Sequence, residues 1–422
     1  MRDLDHSSEN VQTIVKAYLD MLLNDFGYAG FRYDMVKGYS GKFTGIYNTA
    51  TKPTYSVGEY WEGDVNKVKN WLEATKVNEQ ITSAAFDFPI RYVVRDAINT
   101  KWSTVKTDGL ANDNSYKQYA ITFVENHDTE YRSSSEQQDP IRKDTLAANA
   151  YILASCGTPC VFYKHWIDCK QDIKAMINAR QLAGITNTSN TTFNAYKGEG
   201  YNGIMTTGTK TSLLAIVGPN ANKFTPSNAY AEILNGYHYR YFMSKKANVA
   251  WVNLASGEYE GAQKAKLVAV SNKDNAQLVY TTDGTEPTAS SQKAESGKEI
   301  ELPIGETTLK VGLLVDGAVS SVLTRTYQIT KPADFEPYDI TVYANADQVG
   351  WKDGFNFWAW CEKPDENLTA SKTWPGDKIT QCKEIEGKKW YYQTYKIKSK
   401  DYKVSFVFST GTGTPQTVDF TD

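Results

Sequence analysis

Between residues 8 and 27, Val11, Ile14, Val15, Tyr18, Leu19, Leu22 and Phe26 recur at helical spacing along one face. Ser8 stands at the N-cap position and Gly27 at the stop, so the pattern predicts a helix of about four turns. Short apolar runs then alternate with amphipathic stretches. Strands are predicted near "YAGFRYD", "TYSVGEY", "SAAFDF", "AITFVEN" and "PCVFY", separated by segments such as "VNKVKNWLEA" and "DIKAMINARQLA". Such alternation predicts βαβ units and a parallel sheet, with five strands and six helices before about residue 185. The first strand arrives only at Tyr28, which suits part of a larger sheet.

Beyond Thr186 the period shortens. "GIMTTGTKTSLLAIVG" and "GYHYRYFMS" alternate between Gly, Asn and Thr turns, predicting an antiparallel β domain over 186–247. A second all-β stretch, 248–331, holds "QLVYTTDGTEPT" and "TTLKVGLLVDGAVSSVLTRTYQI", whose Asp-Gly pairs signal hairpins. "TKPADFEPY" then reads as a linker. Residues 338–422 carry Trp351, Trp358, Trp360, Trp374 and Trp390, half of the chain's 10 tryptophans, and form a further module. The expected fold class is α/β followed by all-β, with domains 1–185, 186–247, 248–331 and 338–422.

At 422 residues the chain has room for several cores. With 46 Lys and Arg against 49 Asp and Glu and no long like-charged block, nucleic acid is an unsuitable partner. The 10 Trp and 28 Tyr suit a protein that offers flat rings to the apolar faces of sugars. No apolar run of about 18 residues and no basic-then-apolar N-terminal segment is present, so neither a membrane span nor a signal peptide is expected in this chain. The five cysteines show no metal-ligand spacing. A Cys361–Cys382 disulfide is one option, and buried thiols are the plainer one.

Strand alternation puts Arg32 and Asp34 on one face at the end of the first predicted strand. The second strand ends in Glu59, and the fourth ends in Asp128, preceded by His127. Active sites of parallel barrels gather at such strand ends. Two carboxyls suffice for glycosidic hydrolysis, one attacking the anomeric carbon while the other protonates the departing oxygen. Arg32 beside Asp34 would keep that nucleophile charged. Taken singly, each acid reads equally as a helix cap.

Taken together, "GFRYDMVKGY", "VGEYW" and "FVENHD", with "DLDHSSENVQ", "FDFP" and "GTPCVFY" around them, resemble the motifs of the α-amylase family, glycoside hydrolase family 13. The resemblance runs over roughly residues 2 to 185. It implies the second half of a (β/α)8 barrel, with Asp34 as nucleophile, Glu59 as general acid/base and Asp128 binding sugar hydroxyls and stabilising the transition state. It further implies that Arg32 supports the nucleophile, that His127 binds hydroxyls, and that Lys37, Gly38 and Trp61 line the leaving-group side. The implied activity is endo-acting, retaining cleavage of α-1,4 bonds in starch. Different readings are a non-catalytic starch-binding protein with a degenerate barrel, or a related α-glucan transglycosylase.

The family's Asp-Asn-His motif and first three βα units have no counterpart in the chain. A truncated gene model is therefore expected, ahead of a fragment completed by another chain or a remnant kept for binding, and the chain alone is expected to release little or no reducing sugar, since five strands do not close a barrel. Calcium is implied for the intact enzyme, with the Gly38 carbonyl as this chain's one contribution to that site.

Residues 248–331 resemble the small sandwich modules appended to bacterial glycosidases, expected to act as a spacer. Residues 338–422 resemble starch-binding modules, with Trp358, Trp360 and Trp374 as the stacking rings, whereas Trp351 and Trp390 read as sandwich packing. Starch as substrate implies a secreted or surface protein, expected to be a monomer.

Overall fold

The first predicted helix forms as α1 (Glu9–Asn24), with Ser8 extended at its N-cap and Gly27 in the left-handed region past its end. The Ser8 hydroxyl makes no capping bond, and the helix closes instead through the Asp25 amide, which donates to the Met21 carbonyl. These features belong to a computed structural model that describes residues 4–132, 139–141, 143–332, 334–345, 349–351, 354–362 and 365–421.

Five strands follow: β1 (Gly30–Tyr33), β2 (Tyr55–Gly58), β3 (Ala84–Phe86), β4 (Ala120–Thr122) and β5 (Thr158–Pro159). They pair in sequential order, every pair parallel. Between and after them run α2 (Gly41–Thr51), α3 (Val65–Ala74), α4 (Phe88–Asn99), α5 (Thr145–Ala154), α6 (Tyr163–Asp168) and α7 (Lys170–Ala183). This is a partial (β/α)8 barrel, with β1 and β5 as the outer strands of the sheet among the described residues.

Two details differ from the sequence pattern. Seven α-helices, not six, precede residue 185 among the described residues. The "PCVFY" run holds only the end of β5, because the chain leaves the sheet after Pro159 and enters α6 at Tyr163. An apolar run of that length does not distinguish strand from helix entry.

The antiparallel sheet that follows has the order Asn190–Gly198, Tyr201–Thr207, Ser212–Val217, Tyr239–Ser244 and Tyr230–Gly236. Next comes a sandwich. One of its sheets comprises Val249–Val252, Gln263–Val270 and Glu299–Leu302. The other comprises Gly257–Glu260, Ala318–Thr330, Gly305–Val315, Gln277–Thr281 and Gln292–Ala294. Asp316 and Gly317, both at positive φ, make a two-residue hairpin, as Asp-Gly predicts. Asp283-Gly284 instead opens a longer loop, since Tyr280 pairs with Gln292.

The chain through Lys331 packs as one compact unit. One apolar core runs from Phe31 and Val94 through Ile204 and Tyr241 to Trp251 and Val270. Buried polar contacts cross the expected boundaries as well. The Tyr241 hydroxyl donates to the Ala150 carbonyl at 2.6 Å, and the Trp251 indole N–H to the Ile233 carbonyl at 2.9 Å.

The second unit runs from Pro332. One sheet joins Tyr338–Asn345, Lys388–Ile397 and Cys382–Ile385; the other is built on Phe355–Glu362 and Val404–Ser409. Cys361 is buried in the second sheet and Cys382 exposed in the first, without a bridge between them. The thiols are free as the plainer reading expected, but Cys160 and Cys382 are exposed rather than buried.

Candidate active site

Gly58, the last residue of β2, explains how Glu59 reaches its place. A Cβ there would stand 2.1 Å from the Trp71 ring, so only glycine lets α3 lie this close behind the strand end. The Glu59 amide donates to the Tyr33 carbonyl at 2.9 Å and the Val36 amide to the Glu59 carbonyl at 3.2 Å, so the exits of β1 and β2 are fastened together. Met35, left-handed at φ 45°, turns the chain and aims its amide at Glu59 Oε2, 3.2 Å away.

Between these strand ends lies the Arg32 guanidinium. Nη1 donates to Asp34 Oδ1 at 2.5 Å and Nη2 to Glu59 Oε1 at 2.6 Å. The two carboxylates thus share one planar cation, which is also 5.9 Å from the centre of the Phe86 ring at the end of β3. Their environments differ. Glu59 is 3% exposed, whereas the Asp34 side chain is 64% exposed. Burial raises the Glu59 carboxyl above the usual glutamate range; the Met35 amide and Arg32 pull it back, and neighbouring Asp34 pushes it up again. Two adjacent carboxyls in unequal surroundings are the arrangement that separates a proton donor from a charged partner.

Lys37 and Trp61 also come together, in a second cluster. Lys37 Nζ donates to the Trp61 carbonyl at 3.1 Å and to Glu62 Oε2 at 3.2 Å. Trp61 stacks on Phe88 with ring centres 5.0 Å apart and donates its indole N–H to the Tyr92 hydroxyl at 2.8 Å. Glu62, which sequence reasoning missed, also accepts from Lys67; hydrogen bonds from the Asp64 amide, Lys67 and Lys37 hold it down to about 2.

His127 and Asp128 lie in the loop after β4, in contact with each other (Nε2 to Oδ2, 3.1 Å) and with Arg132, 3.5 Å from Asp128 Oδ1. The ion pairs of Asp128 run to these neighbours rather than to the Arg32 cluster. Asp87, on the intervening strand exit, is fully buried and accepts from the amides of Ile90, Leu110 and Ala111, yet burial pushes its carboxyl up to about 6. It fastens α4 to the following loop, a capping role.

Gly38 offers one carbonyl oxygen, whereas calcium takes six to eight oxygen ligands. Among the described residues no group of three or more His, Cys, Asp or Glu side chains stands together as a metal site. The residues present do not fit a calcium cage. Among the described residues no helix is long and apolar enough to cross a membrane.

In the second unit, alternation along Phe355–Glu362 sends Phe355, Phe357 and Ala359 inward and leaves Trp358 and Trp360 half-buried on the other face. Trp374 is 44% exposed and meets Trp358 with ring centres 6.1 Å apart at 70°. Trp351 packs edge-on against Phe355 at 5.3 Å.

Residues 254–325 match the chitobiase/beta-hexosaminidase C-terminal domain. The chain is 32% identical over 193 residues to probable alpha-amylase 2 of Arabidopsis thaliana, covering 42% of this chain and 45% of the relative. It is 34% identical over 172 residues to the alpha-amylase of Geobacillus stearothermophilus, covering 38% of this chain and 30% of that one. To the glucan 1,4-alpha-maltotetraohydrolase of Stutzerimonas stutzeri it is 27% identical over 254 residues, covering 55% and 45%. A gamma-CGTase structure from alkalophilic Bacillus clarkii covers 99% of this chain and 70% of its own at 14% identity, with a TM-score of 0.43, a likeness on which nothing further rests. The chain spans less than half the length of these curated relatives, all of them named as glycoside hydrolases. Over the matched part the chain is thus similar to α-amylases and related glucan hydrolases.

Proposed function

We propose that the chain carries the second half of the active site of an endo-acting, retaining α-amylase that cleaves internal α-1,4 bonds of starch. The observation that supports this most is the single guanidinium of Arg32 held by both Asp34 and Glu59. Retaining enzymes need their carboxyls about 5–5.5 Å apart, nearer than the 6.5–9.5 Å of inverting ones. Two carboxylates that flank one guanidinium suit the shorter spacing.

In this mechanism Asp34 attacks the anomeric carbon as Glu59 gives its proton to the departing glycosidic oxygen. Glu59, now a carboxylate, takes a proton from water, whose oxygen displaces Asp34 and restores both groups. Burial of Glu59 favours its protonated form at the start, and Arg32 holds Asp34 in place by their ion pair. His127 and Asp128 bind hydroxyls of the same sugar, and Lys37 and Trp61 line the leaving-group side. In the second unit the angled Trp358–Trp374 pair, with Trp360 beside it, stacks on the curved α-glucan. A polymeric substrate calls for a secreted or surface-displayed protein acting as a monomer.

Asp34 is largely exposed in the open sheet, and this favours a second reading: a starch-binding protein that does not hydrolyse. Reducing-sugar release from soluble starch separates the two. The proposal expects little release from this chain alone, and whatever release there is to be abolished by Asp34→Asn and by Glu59→Gln. Starch binding without any Asp34-dependent release supports the second reading instead.

A further inference from the structure

The mechanism leaves a buried Glu–His pair unused. Under the β4 exit, Glu125 and His165 are 6% and 5% exposed, with His165 Nε2 2.9 Å from Glu125 Oε2. The other His165 nitrogen, Nδ1, lies 3.2 Å from Asn149 Nδ2, whose amide also donates to the Thr145 carbonyl at 2.9 Å. Because that carbonyl only accepts, the nearby Asn149 atom is the nitrogen and Nδ1 must accept from it. The imidazole proton therefore sits on Nε2 and points at Glu125. The other Glu125 oxygen accepts the Ile141 amide at 2.6 Å.

What Glu125 precedes gives this pair its meaning. Asn126 Oδ1 accepts the amides of Asp128 at 3.0 Å and Thr129 at 2.9 Å, while the Asn126 amide donates to Thr129 Oγ1 at 3.0 Å. The turn from Asn126 to Glu130 is thus closed by its own hydrogen bonds. α6 grips both of its ends: His165 holds Glu125 in the interior, and Lys164 holds Glu130 at the surface, 3.2 Å away.

We infer that His165 is a positioning residue for Asp128, acting through Glu125, so that α6 sets the placement of the β4 carboxylate. This rests on the assignment of Asp128 to the sugar-binding site. A merely structural histidine would only support packing, whereas a positioning one requires the Nε2 donor itself.

The test uses His127 as reporter, since its ring touches Asp128 at 3.1 Å. The full chain is compared with His165→Gln, which retains a side-chain N–H donor, and His165→Leu, which does not. The ¹⁵N-imidazole spectrum of the unaltered chain should show His165 as the Nε2–H tautomer. In His165→Leu the His127 ring resonances should shift as its carboxylate neighbour moves away from the 3.1 Å contact, and His165→Gln should restore them. An Nδ1–H tautomer, unmoved His127 resonances in a folded His165→Leu chain, or failure of His165→Gln to restore them overturns the inference. These readouts need no turnover, so Asp34→Asn without effect on starch release would sink the hydrolytic proposal alone. Where release is measured, His165→Leu should lower kcat about tenfold with KM little changed, because Asp128 acts mainly in the transition state.

Discussion

Replacing Arg32 by leucine removes the one cation that Asp34 and Glu59 share. Breaking a buried ion pair by deleting one partner costs about 3–5 kcal/mol, because the remaining charge is left uncompensated. The Arg32 side chain is 35% exposed, so solvent screens part of that loss, and about 2 kcal/mol at pH 7.5 is the reasonable magnitude. The pH dependence is more diagnostic. Glu59 already sits above the usual glutamate range through burial and Asp34, and without Arg32 it rises further. A carboxyl whose folded value exceeds its unfolded one takes up a proton on folding between the two. Stability therefore increases as pH falls from above the folded value to the unfolded one, about 4.3. The deficit of Arg32→Leu should then shrink to about 1 kcal/mol at pH 5. At about 2 °C per kcal/mol for a unit this large, calorimetry should find the variant melting about 4 °C lower at pH 7.5 and about 2 °C lower at pH 5. An equal drop at both pH values, or a larger one at pH 5, would refute the claim that Arg32 compensates a buried carboxylate.

Other expectations follow from single contacts. Gly58→Ala should lower stability by about 1–3 kcal/mol, since its Cβ meets the Trp71 ring; a thermal melt within 1 °C of the unaltered chain would show that α3 gives way easily. Arg325 is 7% exposed, stacked 5.3 Å over Trp251, with Nε unpartnered and burial pulling its basicity down, so Arg325→Met should stabilise by about 1 kcal/mol. Urea unfolding checks this, and a loss of stability would reveal a partner for that charge. Trp374→Ala should weaken amylose binding about tenfold through loss of a stacked ring, read as lost retardation in native gels containing amylose; unchanged mobility would discard the binding role of the Trp358–Trp374 pair.

Much of the half-barrel was legible because local rules agreed there. The spacing from Val11 to Phe26 marked α1, alternation put Arg32 and Asp34 on one strand face, and Asp316-Gly317 matched its hairpin. What escaped depends on partners far along the chain. Nothing near Gly58 announces Trp71, and nothing in "FVENHD" says that Glu125 meets a histidine 40 residues later. The domain boundaries at 185 and 247 were read from a change of period. Periodicity reports which face is buried and not against what, and the apolar core running from Phe31 to Val270 is a matter of packing that the period does not carry. "PCVFY" failed for a similar reason, an apolar run whose last residues begin a helix.

The claim that Asp34 and Glu59 work as nucleophile and proton donor is tested most directly by trapping. Glu59→Gln lacks the group that activates water, and α-maltosyl fluoride carries a leaving group that needs no proton. The chain with that substitution, incubated with the fluoride, should accumulate a maltosyl ester whose added mass maps to Asp34 after proteolysis. No adduct, or an adduct on any other residue, would contradict the account.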